Sequence, residues 1–210
     1  MTGVAGPAPD TIIAGYARAA EALIPSYETA VTTEALLAPV AALLPEGPGR
    51  MLDLGAGTGR DAAWFAARGF DVLALEPVAA FRAAGAKHRP GITWRDDRLP
   101  ELSSLTAADG PFDLVLANGV WHHLTPEAQV ACLPLLCGLT RPGGRLILSL
   151  RHGPTPADRP GHPIDPDRLI RHAGASGFSC LSRVEAASHQ PGNRASGVTW
   201  TWCVFERDSR

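Results

Sequence analysis

The chain has 210 residues, 45% of them hydrophobic and 19% charged, with a net charge of −2. That length holds one domain, or one with an appendage, around a sizeable core. The near-neutral balance argues against nucleic-acid binding by broad electrostatic attraction, and no apolar stretch is long enough to span a bilayer.

Residues 1–9 are small and proline-rich and are expected to be disordered. A helix is predicted over 10–23, opened by Asp10 and stopped by Pro25. A second follows over 33–44, with Leu36, Leu37, Val40, Leu43 and Leu44 on its apolar side. Residues 1–45 therefore read as an N-terminal helical cap and 46–210 as the main body of a single-domain chain. From residue 51 strands and helices alternate. Strands are predicted at 51–54, 71–76, 92–94, 112–116 and 145–150. Helices are predicted at 60–68, 78–86 and 126–139, the last with Thr125 as cap and Pro126 in its first turn. The nearly all-apolar strands suit a parallel sheet covered on both faces, an α/β Rossmann-like doubly wound fold. Residues 152–163, rich in proline and glycine, read as an ordered loop or lid. After a helix at 165–176, two strands at 178–185 and 198–205 have no helix between them and must pair antiparallel. The first ten residues lack the pattern of a signal peptide, so a cytoplasmic location is expected. Cys132, Cys137, Cys180 and Cys203 form no C-x-x-C and stand at no zinc spacing, so free thiols and no metal site are expected.

Function is concentrated in Leu52-Asp53-Leu54-Gly55-Ala56-Gly57-Thr58-Gly59. A strand runs into three alternate glycines and then a helix start. Such a turn lets a ligand approach bare backbone at the carboxyl end of a strand. Glu76 closes the next strand, where an acid can accept hydrogen bonds from both hydroxyls of a ribose. The pair suggests an adenosine-containing ligand and leaves S-adenosylmethionine and NAD both open.

The order of motifs resembles the class I S-adenosylmethionine-dependent methyltransferases. Residues 52–59 are similar to that family's first motif, and Leu73-Ala74-Leu75-Glu76-Pro77 to its second-strand motif. Trp94-Arg95-Asp96-Asp97-Arg98 looks like the third-strand tip, Phe112 to Asn118 with Val120-Trp121-His122-His123 like the fourth-strand motif, and Arg141-Pro142-Gly143-Gly144 like the turn into the fifth strand. The resemblance implies seven strands in the order 3-2-1-4-5-7-6, strand 7 antiparallel, and S-adenosyl-L-methionine as cofactor, with S-adenosyl-L-homocysteine as product.

On that resemblance Asp53 serves the methionyl ammonium, and Gly55, Ala56, Gly57 and Gly59 accommodate the methionyl chain and ribose. Glu76 and Pro77 hold the ribose, and Asp97 or Asp96, beside Arg98, receives the adenine amino group. Asn118 and Gly119 line the crevice, and Tyr16 on the N-terminal helix touches the methionyl end. Trp121 packs beside the adenine or the acceptor, or else in the core. Arg151 could hold an acceptor carboxylate or phosphate through its bidentate fork, or pin the proline-rich loop. A general base is needed only if the acceptor must lose a proton early. The candidates are His152, His123 and His122. Where base-modifying relatives carry Asn-Pro-Pro-Tyr, this chain has Ala117-Asn118-Gly119-Val120, which favours a small-molecule acceptor; a monomer or homodimer, with no nucleic-acid or membrane partner, is expected. Two rivals remain: a non-catalytic protein that binds the cofactor or its product, and an NAD-dependent oxidoreductase. The latter lacks the G-x-x-G spacing and a Tyr-x-x-x-Lys pair.

Overall fold

The structure is a computed structural model, and it describes residues 9–106 and 108–209. Seven strands form one sheet in the order β3-β2-β1-β4-β5-β7-β6. They are β1 (Gly49–Leu54), β2 (Phe70–Leu75), β3 (Thr93–Arg95), β4 (Phe112–Asn118), β5 (Thr140–His152), β6 (Phe178–Ala187) and β7 (Thr199–Arg207). β1 to β5 pair in parallel, while β7 lies antiparallel to both β5 and β6. The helices are α1 (Pro9–Thr29), α2 (Thr33–Leu37), α3 (Arg60–Ala66), α4 (Ala79–His88), α5 (Pro126–Leu139), α6 (Pro166–Ala175) and the short α7 (Pro191–Ala195). The expected disorder of 1–9 falls, apart from Pro9, outside the described residues.

Strand period explains the two-sided core. Leu52 and Leu54 face one layer with Leu133 and Leu136 of α5, whereas Met51 faces the other with Ala62 and Phe65 of α3. Strand order reverses between β1 and β4, so a crevice opens where their carboxyl ends diverge. Among the described residues no helix is long and apolar enough to cross a membrane. The four cysteines are free.

Three elements differ from their sequence expectation. α1 runs through Pro25 to Thr29. A proline removes one N–H but need not end a helix whose next turn closes: Ala30 N donates to Ser26 O at 2.9 Å and Thr29 Oγ1 to Pro25 O at 2.9 Å. The helix expected over 33–44 breaks at its own proline, Pro39, and continues as a 3₁₀ turn over Ala38–Leu43. β5 begins five residues earlier than expected, because Thr140 pairs with Phe112 across an irregularity before Arg145 pairs with Leu114.

Candidate active site

A cavity of about 470 Å³ sits at the carboxyl end of the sheet. Its floor is the β1 tip and the glycine turn. Gly55 N and Ala56 N both donate to Leu75 O, at 2.8 and 3.0 Å, which ties the turn to the end of β2. Gly55 has a φ of +68°, and a Cβ there would fall 2.3 Å from Val120 Cγ1. Both the backbone angle and the neighbour therefore require glycine.

Glu76 is buried and holds the turn from the other side. Its Oε2 accepts from Gly57 N and its Oε1 from Val78 N, each at 2.8 Å. A carboxylate offers about four acceptor directions, so two remain for outside donors. Burial pushes its pKa up to about 7, against the lowering effect of the two amides.

Asp53 is 2% exposed, and its Oδ2 has no hydrogen-bond partner among the described residues. Burial raises its pKa well above the usual carboxylate range, and the Asp61 carboxylate adds to the rise. A desolvated, unpaired carboxylate is costly in an apolar setting unless a cationic donor reaches it. An ammonium group fits this position.

Beside it runs a closed polar chain. Thr33 Oγ1 donates to Asp61 Oδ1 at 2.7 Å, and Asn118 Nδ2 donates to Asp61 Oδ2 at 2.8 Å. Ser149 Oγ donates to Asn118 Oδ1 at 2.7 Å and accepts from Gly119 N at 2.7 Å. Burial works to raise the Asp61 pKa, but the Arg60 charge and these hydrogen bonds bring it below the usual value. Asn118 thus orients the β4 tip through its side chain, and Gly119 borders the cavity.

Past β4 a 3₁₀ turn over Trp121–His123 sorts its side chains. Trp121 is fully buried in the core and does not border the cavity, the core alternative rather than the ligand contact. The turn sends His122 and His123 to the cavity instead. His123 Nδ1 donates to Pro160 O at 3.0 Å, which leaves Nε2 to accept from Tyr16 OH at 2.9 Å. Both ring nitrogens are committed, and burial lowers its pKa. Burial also pushes His122 down to about 2, and its Nδ1 is unpartnered. Burial raises Tyr16 to about 12. All three side chains are neutral at pH 7.

The β5 tip separates two expected neighbours. Arg151 borders the cavity, but the next residue points to the opposite sheet face. His152 there hydrogen-bonds Thr201 Oγ1 at 2.8 Å and lies off the cavity lining, so its expected role as a base has no support in its position. The third-strand tip also departs from expectation. Asp96 pairs with Arg82 at 2.7 Å and is largely exposed. Asp97 accepts from Arg98 N, Ser103 N, Ser104 N and Ser104 Oγ at 2.6–3.1 Å, so its carboxylate is fully used in folding the 97–104 loop. Neither acid borders the cavity; Leu99 and Leu102 do. Leu102 carries φ of +45°, a strained angle for a leucine, and is buried at 4% exposure. Arg98 also reaches the wall, with its guanidinium paired to Asp10. Pro77, Ala56 and Gly57 line it, whereas Gly59, expected on the ligand side, faces Trp94 and does not.

The sequence indicated only part of the roof, the Tyr16 helix and a loop or lid at 152–163. α1 crosses above the glycine turn and brings Tyr27, whose ring would stand 3.5 Å from a Cβ on Gly57, and Tyr27 also packs on Phe81 with centroids 5.4 Å apart. The early stop assigned at Pro25 hid Tyr27. The segment 153–163 meets α1 so closely that a Cβ on Gly15 would fall 1.8 Å from Asp158 O. It places Arg159 over the Tyr16 ring, 5.2 Å from the centroid. Residues 186–190 with Trp200 and Trp202 close the far wall.

The fold and the site together define a Rossmann-like α/β fold with a cavity whose floor is bare backbone and acids. A family model described as a methyltransferase domain matches residues 51–144. A demethylmenaquinone methyltransferase of Beutenbergia cavernae is 36% identical over 100 residues, 48% of this chain and 40% of that one. A malonyl-[acyl-carrier protein] O-methyltransferase of Methylococcus capsulatus is 35% identical over 120 residues, 55% of this chain and 42% of that one. The matches thus span less than half the length of these curated relatives. Among solved structures, the Burkholderia thailandensis 1,6-didemethyltoxoflavin-N1-methyltransferase, crystallised with its acceptor and S-adenosylhomocysteine, superposes with a TM-score of 0.68 at 23% identity, covering 98% of this chain and 94% of that one. Residues 51–144 thus resemble a methyltransferase domain, and the chain as a whole shares the fold of the Burkholderia enzyme.

Proposed function

We propose that this protein transfers a methyl group from S-adenosylmethionine to a small-molecule acceptor. The observation that carries the reading is the buried, unpartnered Asp53 oxygen beside a glycine turn, the counterpart of a cationic amino-acid end. Glu76 keeps two acceptor directions for the ribose hydroxyls, and Leu99 with Leu102 offers the adenine an apolar wall. When bound, the donor supplies a methyl group on a positively charged sulfur. The chain's own task is then to align the acceptor and keep water out. The roof from α1 and 153–163 excludes water, and the Tyr16–His123–Pro160 hydrogen bonds hold the two roof segments together. His123 has both ring nitrogens committed, His152 lies off the lining, and burial makes the unpartnered His122 a weak base, so the reading favours an acceptor atom that is nucleophilic without strong assistance. Calorimetric titration with S-adenosylmethionine, S-adenosylhomocysteine and NAD, followed by labelled methyl transfer into a pool of small metabolites, tests it. Donor binding with labelled product supports the reading. Tight NAD binding without S-adenosylmethionine binding overturns it, and donor binding without product across the pool assigns a binding role instead.

A further inference from the structure

We infer that the acceptor carries an oxyanion, a carboxylate or a phosphate, gripped by Arg151 and Arg159. This names the substrate class of the site just described and rests on the methyl-transfer reading.

The charges in the cavity are segregated. Its acids, Asp53, Asp61 and Glu76, stand on the donor floor. Its cations outside that floor are Arg98, Arg151 and Arg159. Arg98 is consumed by Asp10 and Glu101. Arg151 and Arg159 both border the same cavity, Arg151 from the β5 tip and Arg159 from its place over the Tyr16 ring.

Their hydrogen-bonding capacity is mostly open. Arg151 donates only through Nη1, to Pro154 O at 2.5 Å and Gly153 O at 3.4 Å, and forms no ion pair among the described residues. Its Nε and Nη2 edge is uncommitted. Arg159 uses only Nε, on Asp158 Oδ1 at 3.3 Å, and that carboxylate is itself 42% exposed. Both terminal Nη groups of Arg159 are uncommitted. A guanidinium presents five N–H donors in a fork matched to carboxylate and phosphate oxygens. Two such forks beside a cavity wall, with at most one partly exposed counter-charge, form an anion site. His122 and His123 add neutral ring surface, and Trp200 adds an apolar face opposite for the body of the acceptor.

The donor carries a carboxylate of its own, so it is the competing occupant. Position argues against it. Arg151 leaves β5, which is two strands from β1, a lateral step of about 10 Å. The glycine turn and Asp53, where the methionyl end sits under this reading, leave β1.

The test uses protein saturated with S-adenosylhomocysteine and three probes titrated by calorimetry at low salt: benzoate, phenyl phosphate and the neutral benzamide. Both anions are expected to bind at least tenfold more tightly than benzamide. Arg151→Gln and Arg159→Gln are each expected to weaken the anions at least fivefold without changing benzamide, while Arg151→Lys restores part of the loss. The preferred anion identifies carboxylate or phosphate as the natural group. Equal binding of benzoate and benzamide, or unaltered anion binding in both glutamine variants, overturns the inference. So does a loss of S-adenosylhomocysteine affinity in the variants that is absent for 5′-methylthioadenosine, which lacks the amino-acid end. If S-adenosylhomocysteine fails to bind the unmodified protein, the methyl-transfer reading fails alone, and the anion titrations of the free protein still decide the arginine pair.

Discussion

Replacing Glu76 by glutamine separates two consequences of one buried carboxylate. In the folded chain its pKa stands at about 7, against 4.5 for an ordinary glutamate. At about 1.36 kcal/mol per unit, ionising it inside the fold costs about 3 kcal/mol more than ionising it in the unfolded chain. The sign follows from the raised value. The folded state binds the proton more tightly, so stability is highest below pH 4.5 and declines as pH rises to 7. His122 runs the opposite way, since its lowered pKa costs stability below its unfolded value of 6.5. Subtracting the glutamine variant from the parent removes that contribution. Urea unfolding from pH 5 to pH 8 is expected to show the parent losing up to about 3 kcal/mol relative to Glu76→Gln. The variant's own offset, from an amide facing two backbone N–H groups, is constant with pH. Ribose hydroxyls donate to the carboxylate and favour the charged form, so donor binding should release a proton near pH 6.5 in the parent and none in the variant. Calorimetry in two buffers of different ionisation heat reads that proton. A pH-independent stability difference, or identical proton release in both proteins, refutes the argument.

Asp53→Asn removes the unpartnered charge: stability at pH 8 should hold or rise, while S-adenosylmethionine affinity falls at least tenfold, the scale of a lost charge-assisted hydrogen bond. Calorimetry alongside thermal melting checks both, and unchanged affinity counts against the site. Gly55→Ala should destabilise by roughly 1–3 kcal/mol, because it adds a Cβ 2.3 Å from Val120 at a φ of +68°; a wild-type melting curve would show the turn to be more pliant than described. Thr33→Val takes one hydrogen bond from the buried Asp61 and should cost about 1–3 kcal/mol at pH 7. Since the Asp61 pKa is lowered in the fold, that deficit should shrink as pH falls below 3.8, and a deficit that grows in acid contradicts the assignment.

The cavity floor was legible because its requirements are local. Alternate glycines after an apolar run and an acid closing the next strand are written in consecutive residues, and so is the β-α alternation that fixes the sheet. What the sequence hid depends on packing across distance. Asp97 stands at the right place in the chain for an adenine contact, but the amides of Ser103 and Ser104 fold back and take its oxygens. His152 and Arg151 are adjacent, and only the strand's pleat sends one to the cavity and the other to Thr201. Arg159 lies in a proline-rich stretch with no local pattern, and its importance appears only once Gly15 lets the backbone at 158 approach α1.

The hydrogen-bonded series from Thr33 to Gly119 joins α2, α3, β4 and β5 and is complete within the chain itself. Its side chains lose their rotational freedom during folding, so little is left to lose when a ligand lands. Donor and spent product differ by one methyl and one positive charge. Under the proposed reading, a bed that does not reshape would tell them apart by electric field, and the unpartnered oxygen of Asp53 would contribute to that field.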